Sequence, residues 1–132
     1  MKKTLLLTTF LLPLSIFGLS GRSDDAAGKT SPKRINARTA KEIMESGEKI
    51  VLLDVRTREE YIGGHIKGAL NLPYDQIPQK ATAILQEKST KILVYCASGA
   101  RSAAGSRSLV SLGYTDVSDF GGIMSWPYEV VR

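Results

Sequence analysis

Cysteine is almost missing from this chain. Cys96 is the only one, which excludes an intramolecular disulfide and leaves the fold to stand on its apolar core. Histidine is equally scarce, with His65 alone. One histidine and one cysteine do not make a zinc-ligand set, so no metal is expected. A cysteine hydrolase using His65 as base would need a third, orienting group, and none stands out. Aromatic residues make up only 7% of the chain, and no basic helix carries them interleaved with its charges. That argues against a nucleic-acid partner. No internal repeat is present.

What is there begins with an apolar N-terminus. Met1-Lys2-Lys3 leads into an apolar stretch from Thr4 to Ser20 that contains Pro13. A charged start and a short apolar run are the marks of an export signal, read here as residues 1–20. An uncleaved anchor is the alternative, although the run is short for a membrane span. Leu19-Ser20-Gly21 looks like the start of a lipoprotein signal, but Arg22 stands where that signal needs a cysteine. Residues 21–33 are nearly devoid of apolar side chains and read as a flexible linker. Residues 34–132 remain for one compact domain. The net charge is +5, and loss of Lys2 and Lys3 with the signal leaves +3. A modest positive excess suits small anionic substrates. The expectation is an exported protein, periplasmic or otherwise extracytoplasmic, with no stable membrane association once the signal is cleaved. In an oxidising compartment a single activated thiol ends as a persulfide, a mixed disulfide or a covalent dimer.

The domain reads as alternating strands and helices. Arg34-Ile35-Asn36 is a short first strand. Thr39-Ala40-Lys41-Glu42 has the form of a capping box, with Ile43 and Met44 on the apolar face and Gly47 as the stop. Residues 50–55 are continuously apolar up to Asp54, as in a strand covered on both faces. Thr57-Arg58-Glu59-Glu60 is a second capping box. A third strand lies at 69–71. Ile77, Ala81, Ile84 and Leu85 follow helical spacing, with Pro78 tolerated in the first turn. The fourth strand is 91–95, a helix follows over about 100–112, and 116–118 is the last strand. This is an α/β pattern, with a mostly parallel sheet of about five strands and helices on both faces.

Cys96 follows the fourth strand and precedes Ala97-Ser98-Gly99-Ala100-Arg101-Ser102. A strand end, a loop of small residues and a helix N-terminus gather backbone N–H groups around one point. A thiolate there is stabilised by those donors and by the helix dipole, so its pKa falls below the free value of about 8.5. Arg101 supplies a cation for an anionic substrate. The competing reading is an inert, buried cysteine. Other candidates read as structural. His65 sits in a turn between Gly64 and Ile66. Asp54 and Arg56 read as an ion pair at a strand end, or as the rim of the site. Glu59 and Glu60 complement a helix dipole. Phe120 and Trp126 read as packing.

The loop resembles the active-site loop of the rhodanese family, C-x-x-G-x-R-S. Three further segments carry the resemblance. Leu52-Leu53-Asp54-Val55-Arg56 looks like the strand ending in D-V-R. Residues 60–71, from Glu60-Tyr61 through Gly64-His65-Ile66 to Asn71, look like E-Y-x-x-G-H-I-x-G-A-x-N. Gly113-Tyr114, Val117, Phe120-Gly121-Gly122-Ile123 and Trp126 look like the closing segment. The match runs over roughly residues 34–132 and implies the rhodanese-like fold. It implies a sulfurtransferase without a cofactor, with Cys96 as the sulfur carrier and Ala97, Ser98, Gly99, Ala100, Arg101 and Ser102 binding the substrate. Its partners would be a small anionic sulfur donor such as thiosulfate and a thiol or cyanide acceptor. A non-catalytic binding or regulatory module of the same fold is an alternative. So is a cysteine phosphatase or arsenate reductase, although those use C-x₅-R and here only four residues separate Cys96 from Arg101. No oligomeric state follows from the sequence.

Overall fold

Apolar runs covered on both faces call for a sheet sandwiched between helices, and the computed structural model, which describes residues 31–132, has that form. Its strands are β1 (Lys33–Arg34), β2 (Ile50–Asp54), β3 (Leu70–Asn71), β4 (Lys91–Cys96) and β5 (Val117–Gly122). They form a single sheet in the order β1-β5-β4-β2-β3, with every pairing parallel. The helices are α1 (Ala37–Glu45), α2 (Arg58–Gly63), α3 (Ile77–Ile84) and α4 (Ala100–Ser111). The readings of residues 1–20 as an export signal and of most of the linker lie outside the described residues.

Alternation along the strands divides the apolar side chains between two cores. Leu53, Val55, Ile92, Val94 and Cys96 pack with Ile77 and Ala81 of α3 and Leu109 of α4. Leu52, Leu93, Tyr95 and Phe120 pack on the other face with Ala40 of α1 and with Trp126. Each fully buried Leu, Ile or Val stabilises the fold by about 1.5–3 kcal/mol relative to exposure. Because β4 is central and every strand runs the same way, its carboxyl end opens onto the rim where α/β sheets hold ligands.

Several boundaries differ from the sequence reading. β1 begins at Lys33 and ends at Arg34, so the domain starts inside the segment read as linker. Asn36 is not strand but the N-cap of α1, its Oδ1 accepting from Thr39 N–H at 2.8 Å. Thr39 is therefore a residue within the helix, not the first member of a capping box. An asparagine oxygen three residues ahead reaches the same orphan donor that a capping threonine would. Ile84 is 49% exposed, and Leu85, at the C-cap, carries the burial instead. β5 runs to Gly122, beyond the expected end at 118, because Cys96 pairs with Gly122 across an irregularity at the end of β4. The Thr57–Glu60 capping box and the proline in the first turn of α3 are as expected.

Candidate active site

Cys96 is the last residue of β4, and α4 begins at Ala100, so Ala97, Ser98 and Gly99 make the whole connection. Gly99 is the N-cap with φ +116°, a conformation that side chains resist. That turn brings Gly99 N–H to 3.0 Å from Cys96 Sγ. Cys96 is only 1% exposed. Burial alone pushes its thiol up. Donor groups of Ser102, Gly99 and Ser98 around the sulfur outweigh burial, and the thiol lies below its ordinary range. The loop thus works as a donor cradle for a sulfur anion.

A second glycine makes room for the loop. A Cβ on Gly122 would lie 2.0 Å from Ala97 O and 2.7 Å from Ser98 Cα. Only a hydrogen at that position lets β5 run directly against the loop. Met124 N–H then donates to Ala97 O at 3.1 Å. Ala97 is half-buried, while Ser98 and Ala100 are exposed. The small residues read as substrate-binding thus form the wall and mouth of the cradle.

Arg101 and Ser102 have partners from distant parts of the chain. The guanidinium of Arg101 forks onto Glu60, with Nη1 to Oε2 at 2.7 Å and Nη2 to Oε1 at 2.9 Å. The Arg101 hydrogen bond, followed by the Thr57 cap, pulls the Glu60 carboxyl down to about 2, against its own burial. The residue read as a dipole complement in α2 is also the partner of the loop arginine. Ser102 is fully buried, and its hydroxyl lies 2.8 Å from Asp119 Oδ1. Asp119 also accepts from Gly121 N–H at 2.9 Å and from Arg34 Nη1 at 2.9 Å. Sequence reasoning missed Asp119. The signal that could have found it is an acid inside the apolar run 117–123, where only a partnered carboxylate can be buried.

The remaining candidates have their partners within the fold. Asp54 is fully buried and accepts from Arg56 Nη2 at 2.7 Å, while the same nitrogen donates to Gly64 O. Asp54 alternates with Leu53 and Val55, which share a core with Cys96, so it points to the opposite face of the sheet. His65 stacks on Tyr61 at 3.8 Å and its Nδ1 lies 2.8 Å from Tyr61 O. Phe120 and Trp126 are buried in the second core. A cavity of about 900 Å³ opens between β1 and α4, lined by Arg34, Arg107, Tyr114 and Asp119. Cys96 does not line it. The lowered thiol, and not this cavity, is the reactive group, so the thiol marks the candidate site.

The Rhodanese-like domain family matches residues 36–128. The chain belongs to the rhodanese-like family. It is 32% identical over 71 residues to thiosulfate sulfurtransferase PspE of Escherichia coli, covering 54% of this chain and 68% of that protein. It is 33% identical to the putative sulfurtransferase YtwF of Bacillus subtilis, over 74% of this chain and 92% of that one. Among solved structures, the Alr3790 protein from Anabaena sp. superposes with a TM-score of 0.68 at 33% identity, covering 74% of this chain and 90% of that chain. Other relatives are longer, and this rhodanese-like chain spans 24% to 28% of their length. Membership of the family supports sulfur transfer as the general class of chemistry.

Proposed function

We propose that this protein is a sulfurtransferase that carries sulfane sulfur as a persulfide on Cys96. The Cys96 thiolate attacks the outer sulfur of a donor such as thiosulfate. A bond forms between Sγ and that sulfur, the donor S–S bond breaks, and its electron pair leaves with sulfite. A thiol or cyanide then attacks the outer sulfur, the Sγ–S bond breaks, and the thiolate is restored. The covalent intermediate divides one transfer into two easier steps. The observation that carries this reading is the hydrogen bond from Gly99 N–H to Cys96 Sγ. The same donors that lower the thiol stabilise an anionic persulfide. The four-residue spacing to Arg101, with Glu60 already in its fork, counts against a phosphate substrate.

Mass spectrometry of the Cys96 peptide after incubation with thiosulfate tests the proposal. The expected result is a gain of one sulfur atom, lost on adding cyanide. Cys96→Ser should keep the fold and yield no thiocyanate. Near wild-type thiocyanate production by that variant would sink the mechanism, and a wild-type peptide that never gains sulfur would favour the non-catalytic module. The export of the protein belongs to the same proposal, and finding a mature N-terminus at Gly21 in an extracytoplasmic fraction would support it.

A further inference from the structure

Arg101 is the only charged residue between Cys96 and Ser102, and its fork is filled from within the protein. Its two contacts with Glu60 are the parallel pair that a sulfonate or carboxylate ligand would make. Glu60 does not arrive by chance. Its Oε2 also accepts from Thr57 N–H at 2.9 Å, and Thr57 Oγ1 accepts from Glu60 N–H, so the capping box of α2 fixes the carboxylate in place. Held down to about 2, the Glu60 carboxyl is charged at every pH where the protein would work. Arg101 and Glu60 are 29% and 36% exposed, so a small ion could reach the pair from solvent.

Within reach of the charge on Cys96 there is then a closed, neutral pair instead of a free cation. Thiosulfate brings two negative charges, most of them on oxygens that need cationic donors. To use Arg101 it must displace a carboxylate that is already preorganised. The reacting group of a persulfide donor, R–S–SH, carries no oxyanion and needs only the backbone donors at its outer sulfur. With it, the Cys96 thiolate attacks the outer sulfur, the Sγ–S bond forms, and the donor S–S bond breaks with its electron pair leaving as RS⁻. The proton on the outer sulfur stays on the new persulfide or passes to that leaving thiolate.

Resting on the sulfur-transfer reading above, we infer that Glu60 is a specificity-determining residue: by occupying the Arg101 fork it turns the site away from oxyanion donors and toward persulfide donors.

The test uses Glu60→Gln, which removes the charge yet keeps an amide oxygen to cap Thr57 N–H. The readout is the ratio of kcat/KM for thiosulfate to that for 2-hydroxyethyl persulfide, which has no carboxylate, at low ionic strength. It should rise about three- to tenfold in Glu60→Gln, and the gain should shrink with added salt. Glu60→Asp keeps the charge and should leave the ratio nearer the wild-type value, which controls for any loss of fold. Binding of sulfate, an unreactive dianion, reads the fork without chemistry and should tighten in Glu60→Gln. If sulfate binding tightens while neither donor ever loads Cys96, the sulfur-transfer reading falls and the occupied fork stands. An unchanged donor ratio together with unchanged sulfate affinity at low salt would overturn the inference.

Discussion

Ser102 Oγ lies 2.8 Å from Asp119 Oδ1, tying the first turn of α4 to β5. A hydroxyl has one proton to give, and two other acceptors are near, Gly99 O at 3.0 Å and Gly121 O at 3.3 Å. The carboxylate is the closest of the three and the charged one. Asp119 therefore sets which way Ser102 points and fixes the first turn of α4 beside the Cys96 loop.

Removing that carboxylate should loosen the site. Asp119→Ala strips Gly121 N–H and Ser102 of their shared acceptor and should cost about 1–3 kcal/mol of stability. Asp119→Asn keeps an acceptor oxygen for both and loses only the bond to Arg34, whose side chain is 69% exposed and adds little. Denaturant unfolding of both variants is the measurement. Equal losses in the two would show that the exposed arginine matters more than the buried hydrogen bonds.

Gly122 should tolerate no side chain. In Gly122→Ala the added Cβ meets backbone atoms of Ala97 and Ser98, which cannot swing aside as a side chain does. Overpacking of this kind costs on the order of 1–3 kcal/mol, and here it should also displace the loop from the thiol. Gly105→Ala makes a useful contrast, since its Cβ would meet Ile77 Cδ1 at 3.0 Å, the end of a side chain. Sulfur loading of Cys96 should fall sharply in the first variant and much less in the second. Full loading in Gly122→Ala would mean that the loop geometry is not what activates the thiol.

The thiol should titrate early. Alkylation by iodoacetamide follows the thiolate fraction, so its midpoint against pH should fall below the free-cysteine value of about 8.5. Restricted access to the buried sulfur slows the reaction as a whole without moving that midpoint. The linkage has a definite sign. A pKa lower in the folded state adds stability that is fully present above the unfolded value and is lost as pH falls through the folded one. The stability difference between wild type and Cys96→Ser should accordingly shift in favour of wild type as pH rises through that window. A midpoint at or above 8.5 would contradict the donor-cradle account.

Arg101 and Glu60 should act as a unit. Arg101→Ala leaves the Glu60 carboxylate unpaired, where it repels anionic donors. Its efficiency with thiosulfate should drop about three- to tenfold, and less at high salt. Adding Glu60→Gln to that variant should restore part of the loss, because the unpaired charge goes with it. The double-mutant cycle on kcat/KM measures the coupling. Additive effects would show that the pair does not act on the donor jointly.

Much of this protein is decided by residues close together in the chain. The apolar runs at 50–55 and 91–95 specify strands covered on both faces. Thr57 and Glu60 specify the start of α2, because a cap involves groups only three residues apart. Cys96, the small loop residues and the start of α4 are likewise contiguous, so the thiol at a strand end could be read directly. Partner choice is another matter. Arg101 and Glu60 are 41 residues apart, and Arg34 and Asp119 are 85 apart. Nothing near Arg101 in the chain says which carboxylate will face it. The choice was made by the parallel packing of β2 beside β4, which brings the helices following those strands to the same end of the sheet. Asp119 was hidden for a related reason. A strand's length depends on the neighbours that pair with it, and β5 runs through Asp119 to Gly122 only because β4 and β1 supply the partners.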